Sequence, residues 1–125
     1  MLSYQHIYHA GNLADVHKHS LLAWVLAYLT RKDKPLSYME THAGRALYDL
    51  SDAAALKTGE AAQGIEKTAR WFDAAHPYAQ VLATVREQDG PNAYPGSPMI
   101  AAHLLRETDR IDLAELHPKE HAALD

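Results

Sequence analysis

Between Pro35 and Gly44 the chain reads Pro-Leu-Ser-Tyr-Met-Glu-Thr-His-Ala-Gly, a short strand that ends in an acidic residue and a glycine turn. This stretch narrows the fold most. In open α/β sheets ligands settle at the carboxyl ends of the strands, where a glycine lets the backbone approach the ligand closely. Farther along, Ile111-Asp112-Leu113-Ala114-Glu115-Leu116 reads as a second strand that again delivers an acid near its end. A carboxylate in that place can accept both hydroxyls of a ribose. A strand followed by one glycine is an incomplete dinucleotide fingerprint, which asks for further glycines, so the pattern needs support from elsewhere in the chain.

The elements around these strands follow from periodicity and punctuation. Val16, His19, Ala23, Leu26 and Leu29 fall on one stripe at spacings of three and four, which predicts a helix from Leu13 to Thr30 capped by Asn12 or Asp15. Arg31-Lys32-Asp33-Lys34-Pro35 closes it, with cations near its negative end and a proline to stop it. Residues 51–88 are alanine-rich and predict two or three helices broken near Gly59 and at His76-Pro77. Asp89-Gly90-Pro91-Asn92 is a turn cluster. Ser97-Pro98 is a helix start, with Ser97 as the cap and a helix running to about Thr108. His117-Pro118 opens another helix.

At 125 residues and 47% hydrophobic the chain can bury one modest core. It has no cysteine, which removes disulfides and thiolate metal sites and suits a reducing cytoplasm. No apolar run approaches membrane-span length, and the first residues lack the basic and apolar regions of a signal peptide, so a cytoplasmic protein without a membrane partner is expected. The net charge of −4 opposes a nucleic-acid partner, but residues 1–35 carry four basic and two acidic side chains. The N-terminal part is therefore the expected face for RNA. Nine histidines exceed what composition alone explains.

Residues 2–19, together with Thr41-His42-Ala43-Gly44, Tyr94-Pro95-Gly96-Ser97-Pro98 and Glu115-Leu116-His117-Pro118, resemble the RlmJ family. These are bacterial methyltransferases that modify an adenine of 23S ribosomal RNA at N6. Family members are roughly twice this length, so the resemblance is to their N-terminal half. It implies part of an α/β, Rossmann-like class I methyltransferase fold with a small inserted helical subdomain. Residues 1–50 would hold the tail, first helix and first cofactor-binding strand, residues 51–92 the helical insertion, and residues 93–125 the return to the core.

The resemblance further implies S-adenosylmethionine as cofactor, 23S rRNA as partner and a monomeric intact protein. His19, His42, Gly44, Ser97 and Glu115 would face the cofactor. His42 would contact it at the turn, Gly44 would admit its amino-acid end, and Glu115 would accept the ribose hydroxyls. From its position alone, His19 on an apolar stripe reads as a core histidine. Tyr4, His6 and Lys18 would meet the substrate, since an aromatic ring stacks on a base, a histidine bonds to its edge and a lysine meets a phosphate. The first residues of a chain are otherwise commonly frayed. Two positions depart from the family pattern: Glu40 stands where Asp is common, and Ala46 where a second glycine is common. The family's proton acceptor is the aspartate of an Asp-Pro-Pro-Tyr loop, and these 125 residues contain none. No catalytic residue is therefore assigned, and the chain is expected to be either a fragment or a catalytically incomplete cofactor- or RNA-binding module.

A metal-binding reading rests on His117-Pro118-Lys119-Glu120-His121, which matches the zinc-protease pattern H-x-x-E-H. Pro118 argues against it. Proline in the first helical turn makes His117 the cap, with non-helical dihedrals, so the two rings need not converge. No metal is expected.

Overall fold

A computed structural model of the chain describes residues 4–124. Leu2 and Ser3, part of the first block that carries the family resemblance, lie outside the described residues. The chain enters through a short 3₁₀ turn at His6–Tyr8. Helix α1 (Leu13–Leu29) then starts where the Asn12 side chain accepts the Asp15 N–H at 2.8 Å. Its buried stripe is Asp15, Val16, His19, Ala23 and Leu26, while Leu29, expected on that stripe, is 42% exposed. The cause is helical drift. At about 100° per residue, Leu29 lies about 140° round from Val16 and leaves the buried arc.

Strand β1 (Ser37–Glu40) pairs in parallel with strand β4 (Arg110–Leu113), with Ser37 opposite Arg110 and Glu40 opposite Leu113. β4 is shorter than the sequence suggests. Glu115 therefore sits past the strand end, although Ala114 N still donates to Glu40 O at 2.8 Å and Ala43 N to Ala114 O at 2.9 Å. A second, antiparallel pair joins strand β2 (Leu47–Asp49) to strand β3 (Ala93–Pro95), with Tyr48 opposite Tyr94. Neither strand was expected. Three residues are too few to show an alternating pattern, and Pro95 reads as a loop residue until its edge position is seen.

Between β2 and β3 lie helices α2 (Ala53–Thr58), α3 (Glu60–Gln63) and α4 (Ile65–Thr68), a 3₁₀ turn at Ala69–Trp71, and helix α5 (Pro77–Asp89). The breaks fall at Gly59 and His76-Pro77, as composition suggests. Gly64 is a third break with a different cause. A Cβ there would lie 2.0 Å from Gly11 O, and Ile65 N donates to that same oxygen at 2.8 Å, so only glycine lets the insertion dock on the N-terminal loop. Helix α6 (Ser97–Leu104) stops short of Thr108, because Asp109 accepts the Arg106 N–H at 2.7 Å and folds that stretch into a turn. Its N-cap is Gly96 rather than Ser97. Helix α7 (Pro118–Leu124) is capped by His117, whose Nδ1 accepts the Lys119 N–H at 3.2 Å. That ring nitrogen is thus committed to the helix start.

One apolar cluster gathers residues from Ile7 to Ile100, with the parallel pair β1–β4 outside it. Ile7, Val16 and Ala23 pack with Tyr48, Ile65, Tyr78 and Val85 from the middle, and with Tyr94 and Ile100 from the return. Each fully buried Ile or Val contributes about 1.5–3 kcal/mol. Among the described residues no helix is long and apolar enough to cross a membrane.

Other apolar groups find no cover. Leu21, Trp24, Val25 and Tyr28 line the outer face of α1, and around the parallel pair Met39 is 71% and Leu116 78% exposed. Two parallel strands cannot bury both sheet faces without neighbours. The isolated 125-residue chain is therefore expected to associate through these faces, and its melting temperature should rise between two well-separated protein concentrations. A concentration-independent, high-temperature transition would show that the exposed faces need no cover.

Candidate functional site

The carboxyl ends of β1 and β4 are drawn together by one carboxylate. Glu115 Oε1 accepts the Gly44 N–H and Oε2 the His117 N–H, both at 2.8 Å. Burial opposes ionisation of Glu115, but these two amides hold its carboxyl below the usual range. Each oxygen keeps a lone pair for a further donor. Gly44 adopts φ +66°, and a Cβ there would meet Tyr48 Oη at 2.7 Å, so the turn requires glycine.

Beside this turn lies a cavity of about 230 Å³ walled by Tyr4, His6, Lys18 and His19 on one side, and by His42, Ala43, Tyr48, Gly96 and Ser97 on the other. Six of the eight residues singled out from the sequence line it. Gly44 and Glu115 do not line it, but sit directly behind Ala43. The cavity falls below the roughly 300 Å³ of a typical ligand pocket, so it can hold only one end of a nucleoside-bearing molecule. A larger hollow of about 410 Å³ runs along β2 and the Gly90 turn, and Asp49, Asp52 and Asp89 are among its lining residues. It gathers none of the strand-end groups, and chemistry rather than size selects the smaller cavity.

Ser97 does not cap α6 with its hydroxyl. Its Oγ donates to Glu40 Oε1 across the ends of β3 and β1. Glu40 Oε2 is buried without a well-aligned hydrogen-bond partner among the described residues, and burial raises the pKa of the Glu40 carboxyl, offset only in part by Ser97 and Tyr38. His42 is exposed, its Nδ1 3.0 Å from Thr41 Oγ1.

The N-terminal segment is tied down by a chain of polar contacts. Asp15 is 2% exposed and accepts the Gly11 N–H at 3.0 Å. Burial opposes its ionisation, yet the His6 hydrogen bond, His19 and the Gly11 amide leave its pKa lowered. Its carboxylate can only accept, so His6 Nε2, 2.6 Å away, carries the proton. In the neutral ring, Nδ1 then accepts the Tyr4 hydroxyl at 2.6 Å. The Tyr4 ring lies nearly parallel to His9, centroids 5.6 Å apart, and remains 63% exposed. The described part of the tail is thus ordered, with Tyr4 at the mouth of the cavity.

His19 is also more than a packing residue. Its Nδ1 lies 2.7 Å from Tyr94 Oη, which lies 2.9 Å from Tyr78 Oη. Burial lowers the pKa of His19 to about 4, only partly offset by Asp15, so the ring is neutral near pH 7. Sequence reading missed Asp15 as a buried anchor, and Tyr48, Tyr78 and Tyr94 altogether. The Tyr-Pro-Gly-Ser-Pro block contains Tyr94, but nothing in it says that the ring turns inward.

These features define an α/β protein with a cavity beside the carboxyl end of one of its two parallel strands. The chain belongs to the RlmJ family: residues 33–125 match the family model described as ribosomal RNA large subunit methyltransferase D, RlmJ. It is 42% identical over 127 residues to ribosomal RNA large subunit methyltransferase J of Escherichia coli (strain K12), covering 99% of this chain and 45% of that protein. The protein of the same name from Haemophilus influenzae is 41% identical, over 99% of this chain and 46% of its own length. The crystal structure of protein LPL1258 from Legionella pneumophila superposes with a TM-score of 0.76 at 43% identity, covering 93% of this chain and 43% of that one. The chain therefore spans a little under half the length of the curated relatives it matches.

The buried His19 gives a pH test. Its folded pKa lies below the ordinary value of 6.5, so the unfolded chain binds this proton more readily. Its contribution to stability is complete above pH 6.5 and is lost as pH falls toward 4. Chemical denaturation should show a loss on the order of 2–3 kcal/mol across that window, largely absent in His19→Gln. An equal loss in both proteins would place the titrating group elsewhere.

Proposed function

We propose that the chain serves in S-adenosylmethionine-dependent methylation of the exocyclic amine N6 of an adenine in 23S rRNA, on a Rossmann-like class I methyltransferase fold, in the cytoplasm and as a monomer in its intact form. The observation that carries this reading is the single cavity that gathers His19, His42 and Ser97 with Tyr4, His6 and Lys18. The cofactor supplies an electrophilic methyl group on a sulfonium.

The residues present fit its amino-acid end. The neutral His19, which lines the cavity, suits the carboxylate. Glu115, already aligned by two backbone amides, has lone pairs left for ribose hydroxyls. On the substrate side, Tyr4 offers an exposed ring for an extruded base, and Lys18 a charge for a phosphate. Asp15 and His6 hold that ring in place, so less ordering remains to be done when the base arrives.

Calorimetry with S-adenosylhomocysteine tests the cofactor half. Glu115→Ala should weaken binding by about 1–3 kcal/mol through the lost charge-assisted hydrogen bonds. Equal affinity in wild type and variant would remove Glu115 from the site.

Methyl transfer to protein-free 23S rRNA tests the substrate half. In the intact, longer protein, Tyr4→Ala and Lys18→Ala should lower transfer while leaving S-adenosylhomocysteine affinity unchanged, and variants as active as an active wild type would dismiss the substrate role. The second reading is a module that binds cofactor or RNA without transferring the methyl group. Binding without any transfer by the wild-type chain would support it.

A further inference from the structure

We infer that the buried pair Tyr94 and Tyr78 fixes His19 as the tautomer protonated on Nε2, making its ring a directed, neutral hydrogen-bond donor for the carboxylate at the amino-acid end of the cofactor. The inference rests on the cofactor reading above and adds two positioning residues to it.

Proton counting sets the direction of the two bonds. Tyr78 and Tyr94 are both 0% exposed, and the Tyr78 hydroxyl has one partner among the described residues, Tyr94 Oη at 2.9 Å. A hydroxyl holds one proton to donate. If Tyr94 donated to Tyr78, the Tyr78 proton would be left buried without an acceptor, an unfavourable state for a polar group out of water. Tyr78 therefore donates to Tyr94. The Tyr94 proton then goes to its other neighbour, His19 Nδ1 at 2.7 Å. A neutral imidazole that accepts on Nδ1 carries its proton on Nε2.

Nε2 has no protein partner among the described residues, and His19 lines the cavity, so the free N–H is the group it offers there. Charge explains why a neutral donor suits this place. The cofactor bears a sulfonium and an ammonium beside its single carboxylate. A cationic ring would attract one end and repel the other two charges, whereas a neutral N–H grips the carboxylate alone. Lys18 and His6 already stand on the same wall. The neighbouring carboxylate Asp15 is held by His6 and the Gly11 amide, which leaves the His19 ring to the tyrosines.

Long-range nitrogen–proton correlation spectra of the ¹⁵N-labelled chain at neutral pH read the tautomer directly. The expected pattern for His19 is a protonated Nε2 and a bare Nδ1, and a protonated Nδ1 would overturn the inference. Tyr94→Phe should weaken S-adenosylhomocysteine binding by about tenfold, the equivalent of one hydrogen bond to a charged group. It should leave unchanged the affinity for 5′-methylthioadenosine, the same thioether nucleoside without the amino-acid end. Equal losses for both ligands would mark Tyr94 as a packing residue and overturn its positioning role.

Tyr78→Phe preserves the His19–Tyr94 contact but removes the proton that sets its direction, so both His19 tautomers should appear. An unchanged single tautomer would overturn the part assigned to Tyr78, and this variant carries the test where Tyr94→Phe does not fold. If the wild-type chain binds neither ligand, the cofactor reading fails with the role inferred for His19 in it, while the spectra still decide the tautomer.

Discussion

The parallel pairing of β1 with β4 is the constraint on which the site depends, and it joins segments about seventy residues apart in the sequence. Parallel strands cannot be closed by a tight turn, so the pairing carries the entropic cost of a long crossover connection. Each end of this short ribbon is fastened by a carboxylate. At the entry, Asp109 accepts the N–H groups of Leu36 and Arg106, while Arg106 reaches the carbonyls of Thr30, Lys32 and Lys34. At the exit, Glu115 holds Gly44 and His117. A third contact, the bidentate Arg45–Glu120 pair at 2.8 and 3.1 Å, ties the turn after β1 to α7, with Glu120 only 2% exposed. The proposed ribose acceptor is therefore also a structural fastener, and its removal should be judged on both counts.

The polar groups around the cavity are deeply buried for so small a chain. Asp15 and His19 lie on the core side of α1, where an apolar residue would serve packing as well. A lone buried charge or ring nitrogen would be costly, and each is compensated: Asp15 by the Gly11 amide and His6, His19 by Tyr94. These networks run from the core outward to the cavity wall. One ends on the Tyr4 ring and the other on His19 Nε2. Rigid placement of the groups proposed to meet a ligand thus comes from the same hydrogen bonds that make the polar core tolerable.

The uncovered apolar groups have a related meaning. The inner stripe of α1 packs on α5 and α6, but Trp24, Val25 and Tyr28 give it a second apolar face. A helix apolar on two sides is built to lie between two layers. Met39 and Leu116 tell the same story for the sheet. The curated relatives are more than twice as long as this chain, which is consistent with a larger body against which such faces would pack.

Elements with local signals are legible in the chain before it folds. The helix expected from Leu13 to Thr30 ends at Leu29, short of Pro35, and it, the strand before Gly44 and the breaks at Gly59 and His76-Pro77 follow from periodicity, capping and backbone restriction. The family blocks pointed to Tyr4, His6, Lys18, His19, His42 and Ser97, which one cavity gathers. The remaining features depend on partners distant in sequence and arise only on folding. Ser97 reads locally as a cap, yet its hydroxyl goes to Glu40, fifty-seven residues away. Glu115 reads as a strand residue but lies beyond the strand, because two backbone amides pull its carboxylate into the turn. β2 and β3 are too short to announce themselves and exist because Tyr48 and Tyr94 need the same core. The direction of the proton on His19 is further still from the sequence, since it is set by two tyrosines seventy-five and fifty-nine positions away that meet only once the chain has closed.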